Sequence, residues 1–168
     1  IYMIMYGIIY ALLENDIRRI LSYSIVNQVG FMIVGIGIGT ELSINGTAAH
    51  AFSHIIYKGL LLMSAGSVIY MINKRKCTDV GGLYKTMPLT AICGIIGALA
   101  ISAFPLTSGF ISKSMIVDAS IHEGMQLVWL MLLVGSAGVF LHAGIKFPWF
   151  VFFHRDKKII TTDPPIYM

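Results

Sequence analysis

The sequence predicts an all-α protein, a polytopic transmembrane bundle of about five helices with one helix broken near residues 109–125. Three observations carry this. Hydrophobic residues make up 57% of the 168 residues and mean hydropathy is +0.80, whereas charged residues make up only 12%. That charge content is half the roughly 25% of a soluble domain. The basic residues gather in short clusters, Arg18-Arg19, Lys74-Arg75-Lys76 and Arg155 to Lys158. Between the clusters run apolar stretches close to the ~20 residues that a helix needs to cross a bilayer.

The elements follow in order. "IYMIMYGIIYALL", residues 1–13, reads as the end of one helix, followed by a charged hinge, "ENDIRR". "ILSYSIVNQVGFMIVGIGIG", 20–39, is a second span, and "TELSING" a mildly polar turn. Residues 47–73 form a third span, and "KRKCTDVGGLYKTM" a basic loop. Pro88 opens a fourth, 88–104, at a position where proline is tolerated. "FPLTSG" ends it. Residues 109–123 are helical but too few to cross, Gly124 interrupts, and 125–153 are long enough. Joining these last two as one broken helix puts all three basic clusters on the cytoplasmic side, as the positive-inside tendency requires. Irregular backbone at membrane depth is tolerated where it is buried or lines a wet cavity, so the break is itself a functional signal.

The chain opens inside an apolar run and closes on "TTDPPIYM". Both ends look cut, and the expectation is one transmembrane region, 1–168, from a larger membrane domain, with 154–168 a cytoplasmic loop. The net charge of +4 lies in clusters that flank spans, which excludes nucleic acid as a partner. Cys77 and Cys93 have neither metal-ligand spacing nor a secretory context, so they read as free thiols.

"AAHAFSHIIYKGLLL", 48–62, carries His50, His54 and Lys58. Steps of four turn ~400° each, so the three share one helix stripe over ~12 Å. A lysine near the membrane centre costs ~2.5–3.5 kcal/mol on insertion scales, and such groups mark ion or proton paths. Histidine, titrating near neutrality, suits a relay. Packing of the imidazoles with Lys58 snorkelling to an interface is the bland alternative, but Lys58 lies about fifteen residues before the loop.

Lys113, in "SGFISKS", sits on the short helix beside the break, where transporters place ions. Asp118 and His122 follow at five and nine residues without forming a clean stripe with it. His142 and Lys146, again four apart, precede an aromatic belt of Phe147, Trp149 and Phe150, so snorkelling competes with conduction there. Asn27 and Gln28 read as bridges between helices, or as the lining of a wet path. Arg18 cannot shuttle protons, since its pKa exceeds ~12. No phosphate loop, dinucleotide fingerprint or redox-centre ligand set appears. Haem between His50 and His54 is excluded, because one helix cannot place both on opposite faces of an iron. No cofactor is expected.

The ordered motifs "DIRRILSYSIVNQVGF", "HAFSHIIYKGLLLMSAGSVIY", "DVGGLYKTMPLT" and "PLTSGFISKSMI" resemble the proton-translocating antiporter-like membrane family. That family includes the membrane subunits of respiratory NADH:quinone oxidoreductase, membrane-bound hydrogenases and Mrp-type sodium/proton antiporters. The resemblance covers about residues 7–153. It implies that His50, His54 and Lys58 form a central proton axis and that Lys113, on a broken helix, delivers protons to the other side. Ser114 stands where some oxidoreductase members have an acidic residue, which with "LHAGIKFPWF" makes the chain more similar to the D subunit of Mrp antiporters. Relatives often have lysine where Arg18 stands, and the glutamate–lysine pair of the family's intake half-channel lies upstream of Ile1. The resemblance therefore implies a multi-pass protein of a bacterial plasma membrane that works with other membrane subunits, protons, sodium ions and the lipid bilayer. The resemblance implies a transporter subunit rather than an enzyme, one that does not translocate protons alone, and in the oxidoreductase setting part of an enzyme. A purely structural helical scaffold is the rival of a different class.

Overall fold

The computed structural model describes residues 1–159 and 161–165. The predicted loop 154–168 thus lies partly outside the described residues. Six helices account for the architecture: α1 (Tyr2–Leu13), α2 (Ile17–Ile38), α3 (Glu41–Ile72), α4 (Pro88–Ile101), α5 (Ser108–His122) and α6 (Gln126–Phe153). Among the described residues no strand forms, and α2, α3 and α6 are each long and apolar enough to cross a membrane. The helical transmembrane bundle read from the sequence is borne out.

Local chemistry sets the ends. The carboxylate of Asp16 caps α2 by accepting from the N–H groups of Arg18 and Arg19, 2.9 and 3.3 Å away, which satisfies donors a helix start leaves free. Glu14 pairs with Arg19 at 3.6 Å, and the backbone N–H of Asn15 is the first cause holding its carboxyl below the usual range. Gly39, at φ 77°, turns the chain after α2, and the Thr40 side chain caps α3 through Ser43 N–H. The predicted turn "TELSING" therefore joins α3 from Glu41 on, leaving Gly39 and Thr40 as the connection, and α3 runs 32 residues. Pro148 lies inside α6, where its missing N–H breaks the regular ladder. The helix continues by widening to π-helical turns at Phe140–Lys146 and Trp149–Phe153.

α5 is half of a broken span, as the sequence predicts, but the break lies before it, at residues 102–107, and not at Gly124, and the half that completes the span is α4 rather than α6. At 14 and 15 residues, α4 and α5 reach only ~21–23 Å each, short of the ~30 Å core. They lie one after the other along α3. Ser64 donates to the Thr90 carbonyl at 3.0 Å, Gly94 and Gly97 face Ser64 and Leu61, and Met115 and Ile116 face Gly46. Between the halves, residues 102–107 are irregular, and Ala103 and Leu106 take positive φ. The break is tight: a Cβ on Gly109 would collide with the Ala100 carbonyl. α6 then returns antiparallel to this pair, with Gly135 against Ile4 and Phe31, Gly144 against Ser102, and Phe152 against Gly94. The turn at Glu123–Met125 reverses the chain.

This path gathers the charge at one end. The Ile17 N–H donates to the Arg75 carbonyl, and Cys77 N–H to that of Asn15, each at 2.9 Å. A Cβ on Gly81 would meet the backbone of His154 and Arg155. Arg18, Arg19, Lys74, Arg75, Lys76, Lys85, Arg155, Lys157 and Lys158 thus share one face, nine of the twelve lysines and arginines. The three clusters predicted to share a side lie on one face of the bundle, although α6 reaches that face by crossing alone. The remaining three, Lys58, Lys113 and Lys146, lie among the helices.

A main cluster, including Ile20, Leu61, Val68, Leu83, Met87, Val151 and Phe152, fills the basic half of the bundle, and a smaller one around Ile4, Phe31, Ile116 and Leu132 fills the other. Cys77, in the loop under the first cluster and 2% exposed, is a free thiol whose pKa burial pushes up to about 11. Since the thiolate is the nucleophile, Cys77 should resist a maleimide at pH 8 in the native protein. Mass spectrometry should find it labelled at least ten-fold more slowly than after denaturation.

Candidate proton path in the bundle interior

α3 presents Ser43, Thr47, His50, Ser53, His54, Tyr57, Lys58, Leu61 and Ser64 inward, spaced by three and four residues. The stripe read from the sequence therefore points into the protein, and His50, His54 and Lys58 are at most 7% exposed. Lys58 lies 14 residues before Ile72, ~21 Å of helix from the basic face, which rules out snorkelling to that face.

His50 sits at the meeting of three helices. Its Nε2 lies 2.9 Å from Gln28 Oε1 on α2, and its Nδ1 lies 2.9 Å from Ser112 Oγ on α5. The His54 ring stacks on it at 6.0 Å and 20°, and Tyr57 meets His54 edge-on at 5.4 Å. Lys113, one residue after Ser112 and 3% exposed, donates from Nζ to the Ile101 carbonyl at 2.8 Å and lies 5.4 Å from the centre of the Phe31 ring. Its ammonium thereby caps the last turn of α4, where the carbonyl ends of a helix favour positive charge. The aromatic face adds a cation–π contact.

Several buried polar atoms have no hydrogen-bond partner among the described residues: Lys58 Nζ, His54 Nε2, Tyr57 OH, Gln28 Nε2 and His142 Nε2. A native interior rarely leaves such groups unpaired, and each calls for an explanation. His142, on the first π-helical segment of α6, is fully buried, with Nδ1 2.7 Å from the Gly138 carbonyl. The structure thus brings His50, His54, Lys58, Lys113 and His142 into one interior.

The other sequence candidates lie elsewhere. Asp118 and His122 are on the exposed face of α5, apart from this cluster. Lys146 is half-buried and donates to the carbonyls of Ala11, Leu12 and Glu14 at 3.2, 2.7 and 2.5 Å, closing the end of α1. Asn27 bridges α2 to α1 through the Ile4 carbonyl at 3.0 Å. Ser112 and Tyr57 were not singled out by sequence, though the position of Ser112 beside Lys113 was a usable signal.

Residues 1–141 match the family model for the transmembrane region of NADH:quinone oxidoreductase and Mrp antiporter proteins. The chain belongs to this family. Antiporter-like relatives include NADH-ubiquinone oxidoreductase chain 5 of Dictyostelium citrinum, 41% identical over 110 residues, 65% of this chain and 16% of that protein. The D subunit of the Na(+)/H(+) antiporter of Alkalihalophilus pseudofirmus is 36% identical over 136 residues, 80% of this chain and 28% of that one. A chain in the structure of the membrane-bound sulfane sulfur reductase, an archaeal respiratory membrane complex, superposes with a TM-score of 0.90 at 34% identity, covering 97% of this chain and 27% of its own. The present antiporter-like chain thus spans less than a third of the length of these relatives. It is an integral, multi-pass membrane protein.

Proposed function

We propose that this chain is the part of an antiporter-like subunit that conducts protons in a multisubunit cation/proton antiporter, in the manner of an Mrp D subunit. Protons pass along Lys58, His54 and His50 and leave through Lys113. One observation carries the reading: amines and imidazoles from three helices share a single buried interior, and one of the amines has no partner there among the described residues. Two ammonium groups in a low-dielectric core repel, so a proton arriving at one pushes a proton off the next. The break after α4 gives Lys113 a place beside the buried Ile101 carbonyl at the helix end, the kind of site where transporters handle ions. His142 is a further member of the same interior. Asp118, His122 and Lys146 contribute no step. The 80% of the chain aligned with the D subunit of the sodium/proton antiporter supports this setting.

Residues 1–168 then form one region of a larger membrane domain, with other membrane subunits as neighbours, lipid around it, and protons and sodium ions as cargo. The basic face looks into the cytoplasm across a bacterial plasma membrane. A second reading places the same conduit in a respiratory complex driven by electron transfer, favoured by the 41% identity to NADH-ubiquinone oxidoreductase chain 5.

The test is made on the full-length protein purified with its native partners and assayed in everted vesicles. Small membrane subunits without redox centres, and collapse of a pH gradient on adding sodium, support the antiporter. Co-purifying redox subunits support the respiratory complex. An assembly that moves no protons in either assay overturns both.

A further inference from the structure

The two partners of His50 share a property that the lysines lack. A serine hydroxyl and a carboxamide can each donate or accept, the amide by a half-turn that exchanges its oxygen for its NH2. With Gln28 Oε1 facing His50 Nε2 at 2.9 Å, that nitrogen carries the hydrogen, and Nδ1 accepts from the Ser112 hydroxyl at 2.9 Å. Gln28 Nε2 meanwhile has no partner among the described residues, so nothing among them holds the amide in this orientation except His50 itself. Ser112 has an alternative acceptor, the Gly109 carbonyl at 3.5 Å. All three groups are at most 1% exposed.

Resting on the proton-path reading above, we infer that Gln28 and Ser112 are positioning residues that set which nitrogen of His50 carries its hydrogen, and that each proton passing through this ring requires the Gln28 amide to turn. The balance is simple. A proton gained at Nδ1 makes an imidazolium, and Ser112 becomes the acceptor of the new N–H while its own hydrogen swings to the Gly109 carbonyl. A proton lost from Nε2 returns the ring to neutral with its hydrogen moved to Nδ1. The bare Nε2 then needs a donor, and the turned Gln28 amide supplies one. The gained and lost protons are exchanged with the neighbouring carriers, Lys113 and His54. The ring returns to its starting state only when Nδ1 releases its hydrogen and Nε2 takes up another, and the amide turns back with that exchange. A polar residue that merely bridged α2 and α3 would need no such freedom.

The experiment uses the full-length protein in its complex, reconstituted in liposomes. Gln28→Met removes donor and acceptor at nearly constant volume, and Gln28→Glu keeps an acceptor with no amide donor. Ser112→Ala removes the hydroxyl, and Ser112→Thr restores it. Proton flux should fall at least ten-fold in Gln28→Met and Ser112→Ala with assembly unchanged, and Ser112→Thr should recover most of it. With 15N-labelled histidine, solid-state NMR should find both hydrogen positions on His50 in the wild type and only the Nε2 position in Gln28→Glu. Flux within two-fold of wild type in Gln28→Met, or an unchanged His50 spectrum in Gln28→Glu, overturns the inference. Where Gln28→Met fails to assemble, the spectrum of Gln28→Glu decides. A Lys113→Ala control that keeps its flux condemns the proton-path reading instead, so the two failures are told apart.

Discussion

Lys113→Ala is expected to reduce proton flux to less than a tenth of wild type in the full-length complex, and Lys113→Arg to do the same. The pair separates conduction from architecture. The ammonium of Lys113 is hydrogen-bonded to the Ile101 carbonyl at the broken end of α4, so alanine removes both the proposed proton carrier and a cap. Leaving that buried carbonyl unpaired costs about 1–3 kcal/mol, and some loss of stability is expected from it. Arginine keeps a positive donor near the carbonyl and the Phe31 ring, yet with a pKa above ~12 it does not release its proton. Cap and charge stay while transfer stops. Flux measured by quenching of a pH-sensitive dye, beside the amount of protein in the membrane, checks both variants. An arginine variant that transports normally would assign Lys113 a purely structural role.

Lys58→Met is expected to have the opposite signature, lost transport with unchanged or higher stability. Lys58 Nζ makes no hydrogen bond among the described residues and its side chain is 4% exposed. A charge so placed burdens the fold, at ~2.5–3.5 kcal/mol on insertion scales for a helix centre, and methionine fills a similar volume without it. Thermal unfolding of the detergent-solubilised complex should occur at the same or a higher temperature, while flux falls at least ten-fold. A scaffold helix gives the reverse, since removing a residue kept for packing disturbs assembly and leaves ion movement in proportion to the protein present.

Much of this was legible in the sequence because it depended on composition and short spacing. Long uncharged runs located the spans, and clustered arginine and lysine marked the loops that meet at one face. The four-residue steps of His50, His54 and Lys58 fixed one face of α3. The pairing of α5 was not legible. A helix of 15 residues needs a second half to cross, and both α4 and α6 adjoin it in sequence; the choice rests on contacts with α3 at Gly46, Gly94 and Gly97, residues with no side chain to signal them. The partners of His50 were hidden for a related reason. Gln28 and Ser112 are 84 positions apart, and only the folding of α2 and α5 against the same face of α3 brings them to one ring. Asp118 and His122 lie five and nine residues beyond Lys113, which turns them ~140° and ~180° away on a helix, and the structure leaves both on the outer face of α5.

The most direct measurement is the protonation state of the buried lysine amines during transport, read by 15N NMR of the labelled full-length complex in liposomes under an imposed proton gradient. If the interior hands protons along, Lys58 and Lys113 should each populate both ammonium and neutral amine, with proportions that follow the gradient. Two lysines that stay in one protonation state throughout, in a complex that still moves protons, would contradict the account.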